Sequence, residues 1–92
     1  MTSETIERGL LVESLAGHDS GQVFVITQVV DDKYVMIANG RDRKISKQKR
    51  KKIKHIKLLN SQIDLDAMER IGGITDGDLY KAIKANLNKI GG

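Results

Sequence analysis

The stretch from 22 to 30 constrains the fold more than any other, because apolar side chains occupy both of its faces. Their alternation predicts a β-strand, since successive side chains of a strand point to opposite sides of its sheet. The two apolar sets are Val23, Val25 and Val29 on one face and Phe24, Ile26 and Val30 on the other. A strand that is apolar on both faces has to be covered on both sides. We therefore predict that it lies at the centre of a strongly bent sheet.

Shorter strands are predicted on either side of it. The sequence GLLVESL at 9–15 predicts the preceding strand, but its pattern does not determine which side chains face the core. The two candidate inward pairs are Leu10 with Val12 and Leu11 with Leu15. The sequence YVMIA at 34–38 predicts the following strand, and we expect its aromatic residue, Tyr34, to belong to the core rather than to a stacking platform.

The dipeptide Asn39-Gly40 predicts a two-residue type I′ hairpin turn, because both residues tolerate a positive φ. A short fourth strand from Arg43 to Ser46 would then pair back across that turn. The lysine-rich sequence KQKRKK at 47–52 holds nothing to bury, which predicts an exposed connection that is mobile in the unbound protein.

Alternation returns after Lys52 and predicts a last strand, with Ile56 and Leu58 facing inward and His55 and Lys57 facing outward. A helix over 43–58 is the competing interpretation, because three isoleucines of that stretch share a helical face. No apolar residue stands at 48 or 49 to complete the stripe, so we favour a strand, a connection and a second strand.

The last third of the chain has a helical pattern. A short helical turn is predicted around 65–68 and ends at the glycine pair 72–73. Thr75 is a good N-cap residue, and the two aspartates that follow it favour a helix N-terminus. The apolar stripe that would dock this helix consists of Leu79, Ile83, Leu87 and Ile90.

Ninety-two residues are enough for one domain, and the absence of cysteine excludes disulfides and Cys-based zinc sites. The pattern predicts a mainly β fold, a small five-stranded barrel with a C-terminal α-helix. We divide the chain into a flexible lead-in at 1–8, a barrel at 9–59 and a helical extension at 60–92 that packs on the barrel. The polar N-terminus and the short apolar runs do not resemble a signal peptide or a membrane span.

The segment from 41 to 57 is strongly basic: it holds ten of the sixteen Lys and Arg residues and only one of the twelve carboxylates. Such a field indicates a polyanionic partner, because the cations repel one another and mixed charge would serve solubility better. We predict RNA contacts along it, with phosphates as the main targets. The candidate residues are Arg41, Arg43, Lys44, Lys47, Lys49, Arg50, Lys51, Lys52, Lys54, His55 and Lys57.

The spacing Gly9-x-x-Val12, the loop sequence AGHDSG at 16–21 and the VFVI run after it resemble the KOW motif. The longer stretches FVITQVVDDKYVMIANG, IKHIKLL and ITDGDLYKAIKANL are similar to the L-fourteen-e family of large-subunit ribosomal proteins. This resemblance covers roughly 8–90. It implies an SH3-like barrel that binds ribosomal RNA, with Gly9, Gly17 and Gly21 as structural glycines of the motif.

One departure from that family affects the site. The KOW loop is often lysine-rich, but here it reads His18-Asp19-Ser20 and has no fixed positive charge. The binding charge is therefore expected at 41–57 instead. Ribosomal RNA of the large subunit is the expected partner, with ribosomal proteins as further partners. We expect a cytoplasmic, ribosome-associated protein that is a monomer when free and needs no cofactor.

Other functions are less well supported by the residues. The acidic residues Asp64, Asp66 and Glu69 have no nucleophile or phosphate loop beside them, so no enzyme is predicted. The two histidines, His18 and His55, are too isolated for a metal site. A protein-interaction module that binds through the apolar stripe at 79–87 is the alternative function. Binding to an anionic membrane surface ranks last, because the basic segment has no bulky apolar anchor.

Overall fold

The computed structural model describes residues 6–91, with side chains through Leu87. It contains five strands and two α-helices. The strands are β1 (Leu10–Ser14), β2 (Val23–Val29), β3 (Tyr34–Ala38), β4 (Lys49–Lys52) and β5 (Ile56–Gln62). The helices are α1 (Leu65–Gly72) and α2 (Asp76–Gly91), and two 3₁₀ turns lie at Ile45–Lys47 and Ile53–His55.

The strands form one antiparallel sheet in the order β4-β3-β2-β1-β5. Its two edge strands, β4 and β5, are joined only by the 3₁₀ turn Ile53–His55. In a flat sheet these edges would lie about 19 Å apart, but the connection spans at most about 14 Å. The sheet therefore has to curl until its edges meet. This confirms the predicted mainly β barrel with a C-terminal helix.

Strand β2 lies at the centre of the sheet, as predicted, and both of its faces are covered. The barrel interior contains Val12, Phe24, Ile26, Val35, Ile37 and Ile56. The other face packs against the helices through a second cluster, Leu11, Val25, Ala38, Ile63, Leu65, Leu79 and Ile83. Val29 and Val30, at the end of the predicted apolar run, are 40% and 43% exposed. Both lie where β2 ends and the turn to β3 begins, beyond a register shift between Ile26 and Gln28.

The predicted tight turn at Asn39-Gly40 and the fourth strand at 43–46 are wrong. Only glycines and Asn60 have a positive φ among the described residues, and a type I′ turn needs two such residues in succession. The side-chain Oδ1 of Asn39 instead accepts hydrogen bonds from the backbone N–H groups of Arg41 and Arg43, at 3.0 Å each. These bonds stabilise a wider loop over 39–48, so the strand that pairs back with β3 begins only at Lys49.

The predicted exposed connection at 47–52 is also wrong, because Lys49–Lys52 forms strand β4 beside β3. Strand β5 likewise runs to Gln62, beyond the predicted end of the barrel at Leu59, because Gln62 pairs with Leu10 of β1. Of the predicted lead-in, residues 1–5 lie outside the described part of the chain. Ile6 packs against the barrel interior, and the Arg8 guanidinium forms ion pairs on α1.

The helical predictions for the last third are confirmed. Thr75 is the N-cap of α2, since its Oγ1 accepts a hydrogen bond of 3.1 Å from the backbone N–H of Asp78. Leu79 and Ile83 are 1% and 3% exposed, while Leu87 packs at the edge of the same cluster. The side chain of Ile90 lies outside the described residues. Neither helix has an apolar stretch long enough to cross a membrane within the part that the structure describes.

Gly9 occupies a position that excludes any side chain. Its φ is +97°, and a Cβ there would lie 2.3 Å from the backbone oxygen of Ile63. Gly21 has a similar φ of +87° but open space around it. We expect Gly9→Ala to lower the free energy of unfolding by about 3 kcal/mol, because a steric clash adds to the backbone strain.

The matched control is Gly21→Ala, which carries the strain alone and should cost about 1 kcal/mol. Urea denaturation followed by circular dichroism measures both values. Equal losses for the two variants would show that the close approach of Gly9 to Ile63 contributes nothing to stability.

Candidate nucleic-acid interface

The four residues of β4 alternate between the two faces of the sheet. Side chains directly opposite each other on paired strands point to the same face. Lys51 lies opposite Val35, which is an interior residue, and Lys52 lies opposite the half-buried Tyr34. By the same register, Lys49 points inward and Arg50 points outward. The lysine run therefore divides into an inward pair and an outward pair.

Both residues of the inward pair form ion pairs with one carboxylate from the loop between β1 and β2. Asp19 and Lys51 are each 6% exposed. The Lys51 ammonium donates to Asp19 Oδ1 at 3.1 Å and to the Ala16 carbonyl oxygen at 2.7 Å. The Lys49 ammonium lies 3.1 Å from Asp19 Oδ2, and the Ser14 hydroxyl donates to Oδ1 at 2.8 Å. These contacts join β4 to the loop at one end of the barrel.

The same contacts determine the ionisation of Asp19. Burial of the carboxylate raises its pKa, but hydrogen bonds from Ser14 and Lys51 and the adjacent Lys49 ammonium outweigh that effect and lower the pKa to about 2, from 3.8 in an unfolded chain. The carboxylate is thus ionised at neutral pH. This acidic residue stands where the loop of the KOW motif is often lysine-rich, and it has a structural role: it holds the basic strand in place.

The outward pair faces solvent. The Arg50 guanidinium carbon lies 4.7 Å from the centroid of the Tyr34 ring, a cation–π contact that restrains an exposed arginine. Lys52 is exposed beside it, and Lys54 is exposed on the following 3₁₀ turn. Lys33, on the turn between β2 and β3, belongs to the same surface, because its carbonyl oxygen accepts a 2.8 Å hydrogen bond from the backbone N–H of Ile53.

The loop at 39–48 is fixed on the N-terminus of α2. Gly40 approaches so closely that a Cβ there would lie 2.1 Å from the backbone oxygen of Asp76. The Asp76 carboxylate accepts a hydrogen bond of 2.8 Å from the backbone N–H of Ile45. Arg41 donates to the Tyr80 hydroxyl at 2.9 Å, and its guanidinium carbon lies 5.6 Å from the centroid of the same ring. The cations of this loop are therefore presented from a rigid support.

The structure sorts the predicted contact residues by exposure. The exposed ones are Arg41, Lys44, Lys47, Arg50, Lys52, Lys54 and Lys57, the half-buried ones are Arg43, Lys49 and His55, and the buried one is Lys51. Lys57 lies opposite Glu13 on the neighbouring strand, which offsets part of its charge. The carbonyl oxygen of His55 accepts a hydrogen bond from the Leu15 backbone N–H at 2.9 Å, which ties the β4–β5 connection to the first loop.

Two residues of this surface were missed from the sequence. Lys33 lies outside the predicted basic segment, and Tyr34, which is expected in the core, has a ring that is half-buried beneath Arg50. The available signal was the period of two, which places Tyr34 on the same face as Met36, away from the interior residues Val35 and Ile37.

The acidic residues of α1 have structural partners. Asp64 caps the helix by accepting a hydrogen bond of 3.0 Å from the Ala67 backbone N–H. Asp66 and Glu69 both form ion pairs with the Arg8 guanidinium, so they tie the start of the chain to α1. Within the described residues, no group of three or more acidic or histidine side chains is arranged to hold a metal ion.

Comparison with known proteins identifies the family of this chain. No protein-family model matches the chain. A protein of Hyperthermus butylicus named large ribosomal subunit protein eL14 is 30% identical over 79 residues, which cover 86% of this chain and 76% of that protein. Proteins of the same name from Staphylothermus marinus and Pyrobaculum aerophilum are 30% and 29% identical, over 85% and 89% of this chain and 76% and 75% of their own lengths. The chain belongs to the family of large ribosomal subunit protein eL14.

Proposed function

We propose that this protein is a non-enzymatic component of the large ribosomal subunit that binds ribosomal RNA through the exposed cations of its basic segment. The observation that carries the proposal is the outward row of β4, where Arg50 and Lys52 are exposed on a rigid strand beside Lys54. The names of the archaeal relatives support the ribosome as the place of action.

The proposed mechanism is electrostatic docking onto phosphates. Each Lys or Arg that neutralises a phosphate releases a condensed counterion, so binding is favoured by entropy and weakened by salt. The barrel and α2 hold these cations in fixed positions, which lowers the entropy lost on binding. Such contacts recognise the shape and backbone of a structured RNA rather than its base sequence.

The proposed RNA contact excludes Lys49 and Lys51, although both are among the contact residues predicted from the sequence. Both ammonium groups are engaged by Asp19, and Lys51 is buried. Moving Lys51 to a phosphate would leave the Asp19 carboxylate buried with fewer partners. We assign these two lysines to the barrel and the exposed residues of the segment to the RNA.

The alternative function, a protein-interaction module, depended on the apolar stripe of the C-terminal helix. Leu79 and Ile83 of that stripe are covered by the barrel, in the same cluster as Leu11 and Val25. They are therefore not available to a partner without partial unfolding, and no observation favours this alternative over RNA binding.

The salt dependence of binding tests the proposed function. Seven exposed cations in the segment predict that the logarithm of the association constant falls against the logarithm of salt concentration with a slope of about −5. Filter binding of purified large-subunit ribosomal RNA between 50 and 300 mM KCl measures it. Cosedimentation with large subunits over the same range provides a second readout. A slope near zero, or no retention of the RNA at the lowest salt, would refute the proposal.

A further inference from the structure

A cleft lies on the outer surface of the barrel, between the turn that joins β2 to β3 and the 3₁₀ turn that joins β4 to β5. It has a volume of about 570 Å³ and is lined by Asp32, Lys33, Tyr34, Lys52, Ile53 and Lys54. This volume is within the range of pockets that hold small ligands. The predicted contact set included two of these residues, Lys52 and Lys54, but the cleft itself was not predicted.

The walls of the cleft are held together by hydrogen bonds from backbone N–H groups. The backbone N–H of Ile53 donates to the Lys33 carbonyl oxygen at 2.8 Å, which links the two turns. The Asp31 carboxylate accepts hydrogen bonds from the backbone N–H groups of Lys33 and Tyr34, at 2.8 and 2.9 Å, and fixes the first turn. The cleft is therefore largely formed before any ligand arrives.

The lining combines two kinds of recognition. Tyr34 and Ile53 supply a half-buried aromatic and aliphatic surface, and Arg50 restrains the ring of Tyr34. Lys33, Lys52 and Lys54 are exposed around it, against the single carboxylate of Asp32. The four ion pairs formed within residues 6–87 involve none of these three lysines. Their charge is thus available to an anion at the cleft.

We propose that this cleft takes one unpaired nucleotide of a structured RNA, with its base against Tyr34 and Ile53 and its flanking phosphates on the three lysines. A phosphate alone would leave the aromatic surface without a partner, and an uncharged aromatic ligand would leave the lysines without one. A nucleotide supplies both a planar base and an anion. Bases that are looped out of an RNA helix are recognised in this way, by stacking on aromatic side chains.

This inference rests on the proposed RNA binding and goes beyond it. Phosphate docking alone requires only a continuous helical backbone, whereas an occupied cleft requires a bulged or looped-out nucleotide. The RNA site is thus expected to contain a nucleotide that is unpaired beside a double-stranded stretch.

Two RNA hairpins that differ only by a single-nucleotide bulge test the inference. The wild-type protein should bind the bulged hairpin roughly tenfold more tightly than the paired one, which corresponds to one stacked base. Tyr34→Leu should bind both hairpins equally, because it removes the ring and leaves the lysines. Tyr80→Leu is the matched control, since Tyr80 is the other tyrosine of the chain and lies on α2; it should keep the preference.

A crosslinking measurement makes the test independent of the variant's folding. A 4-thiouridine at the bulge should crosslink to wild-type peptides that contain residues 33–34 or 52–54, as identified by mass spectrometry. Crosslinks elsewhere in the chain, or equal binding of the two hairpins by the wild-type protein, would overturn the cleft assignment and leave RNA binding intact. Failure to bind either hairpin would instead overturn the proposed function. Tighter binding of a free nucleoside monophosphate than of the bulged hairpin would show that RNA is not the source of the nucleotide.

Discussion

Reversing the charge of the outward pair of β4, in Arg50→Glu/Lys52→Glu, is expected to lower the affinity for large-subunit ribosomal RNA on the order of 100-fold. Both side chains are exposed and outside the barrel core, so the fold should be retained. The loss combines two missing phosphate contacts with repulsion between the new carboxylates and the RNA. Filter binding at 100 mM KCl measures the affinity. The slope of the logarithm of the association constant against the logarithm of salt concentration should become shallower, by the amount that corresponds to about two phosphate contacts.

The matched control is Arg70→Glu/Lys81→Glu on α1 and α2, which changes the net charge by the same amount at two exposed cations outside the basic segment. We expect this variant to lose no more than about threefold in affinity, through the overall field alone. Equal losses in the two variants would mean that net charge, rather than the outward row of β4, determines binding. Reversal of all four β4 residues would not be informative, because the inward lysines are needed for folding.

Asp19→Asn is expected to lower the free energy of unfolding by about 4 kcal/mol at pH 7. The substitution keeps the size of the side chain but leaves the buried Lys51 ammonium without its carboxylate. Urea denaturation measures the loss, and Asp32→Asn, at an exposed aspartate, is the control that should change stability by less than about 0.5 kcal/mol.

A double-mutant cycle separates the ion pair from general damage to the loop. Adding Lys51→Met to Asp19→Asn removes the uncompensated buried charge, so the double variant should be more stable than Asp19→Asn alone. If the two substitutions simply add, the contact between Asp19 and Lys51 does not stabilise the barrel.

The same carboxylate makes the stability of the wild-type protein depend on pH. The pKa of Asp19 is about 2 in the folded protein and 3.8 in the unfolded chain, so the unfolded chain binds the proton more tightly. The stabilisation is complete above about pH 4 and is lost as the pH falls from 4 towards 2, by about 2 kcal/mol. In Asp19→Asn this component should be absent, so its stability should fall less over that range. Parallel pH profiles of the two proteins would contradict the assignment.

Much of the fold could be predicted because its signals are local. The apolar residues on both faces of β2 require cover on both sides, and the structure supplies the barrel interior on one and the helices on the other. The N-cap at Thr75 and the stripe through Leu79 and Ile83 determine α2 in the same way. Each of these signals lies within a few residues of the element that it describes.

The basic strand could not be predicted because its signal is not local. Residues 47–52 contain no apolar side chain, so their pattern resembles that of an exposed connection. They form a strand because they pair with β3 and because both inward lysines contact the Asp19 carboxylate, which lies 32 residues from Lys51. The prediction of a tight turn at Asn39-Gly40 is wrong for a similar reason. The Asn39 side chain accepts hydrogen bonds from backbone N–H groups of a wider loop, and these bonds are not evident from the dipeptide alone. The cleft likewise forms only when two turns distant in sequence meet.

The alternation of β4 separates two kinds of natural selection within four consecutive basic residues. Substitutions at positions 49 and 51 affect the stability of the barrel, and we expect them to be tolerated in evolution only when position 19 changes with them. Under the proposed function, substitutions at 50 and 52 would be selected for RNA binding, and we expect these positions to vary independently of 19 between proteins that bind different RNA surfaces. A homologue could therefore acquire a new RNA partner by changing every second residue of this strand without altering the barrel that carries it.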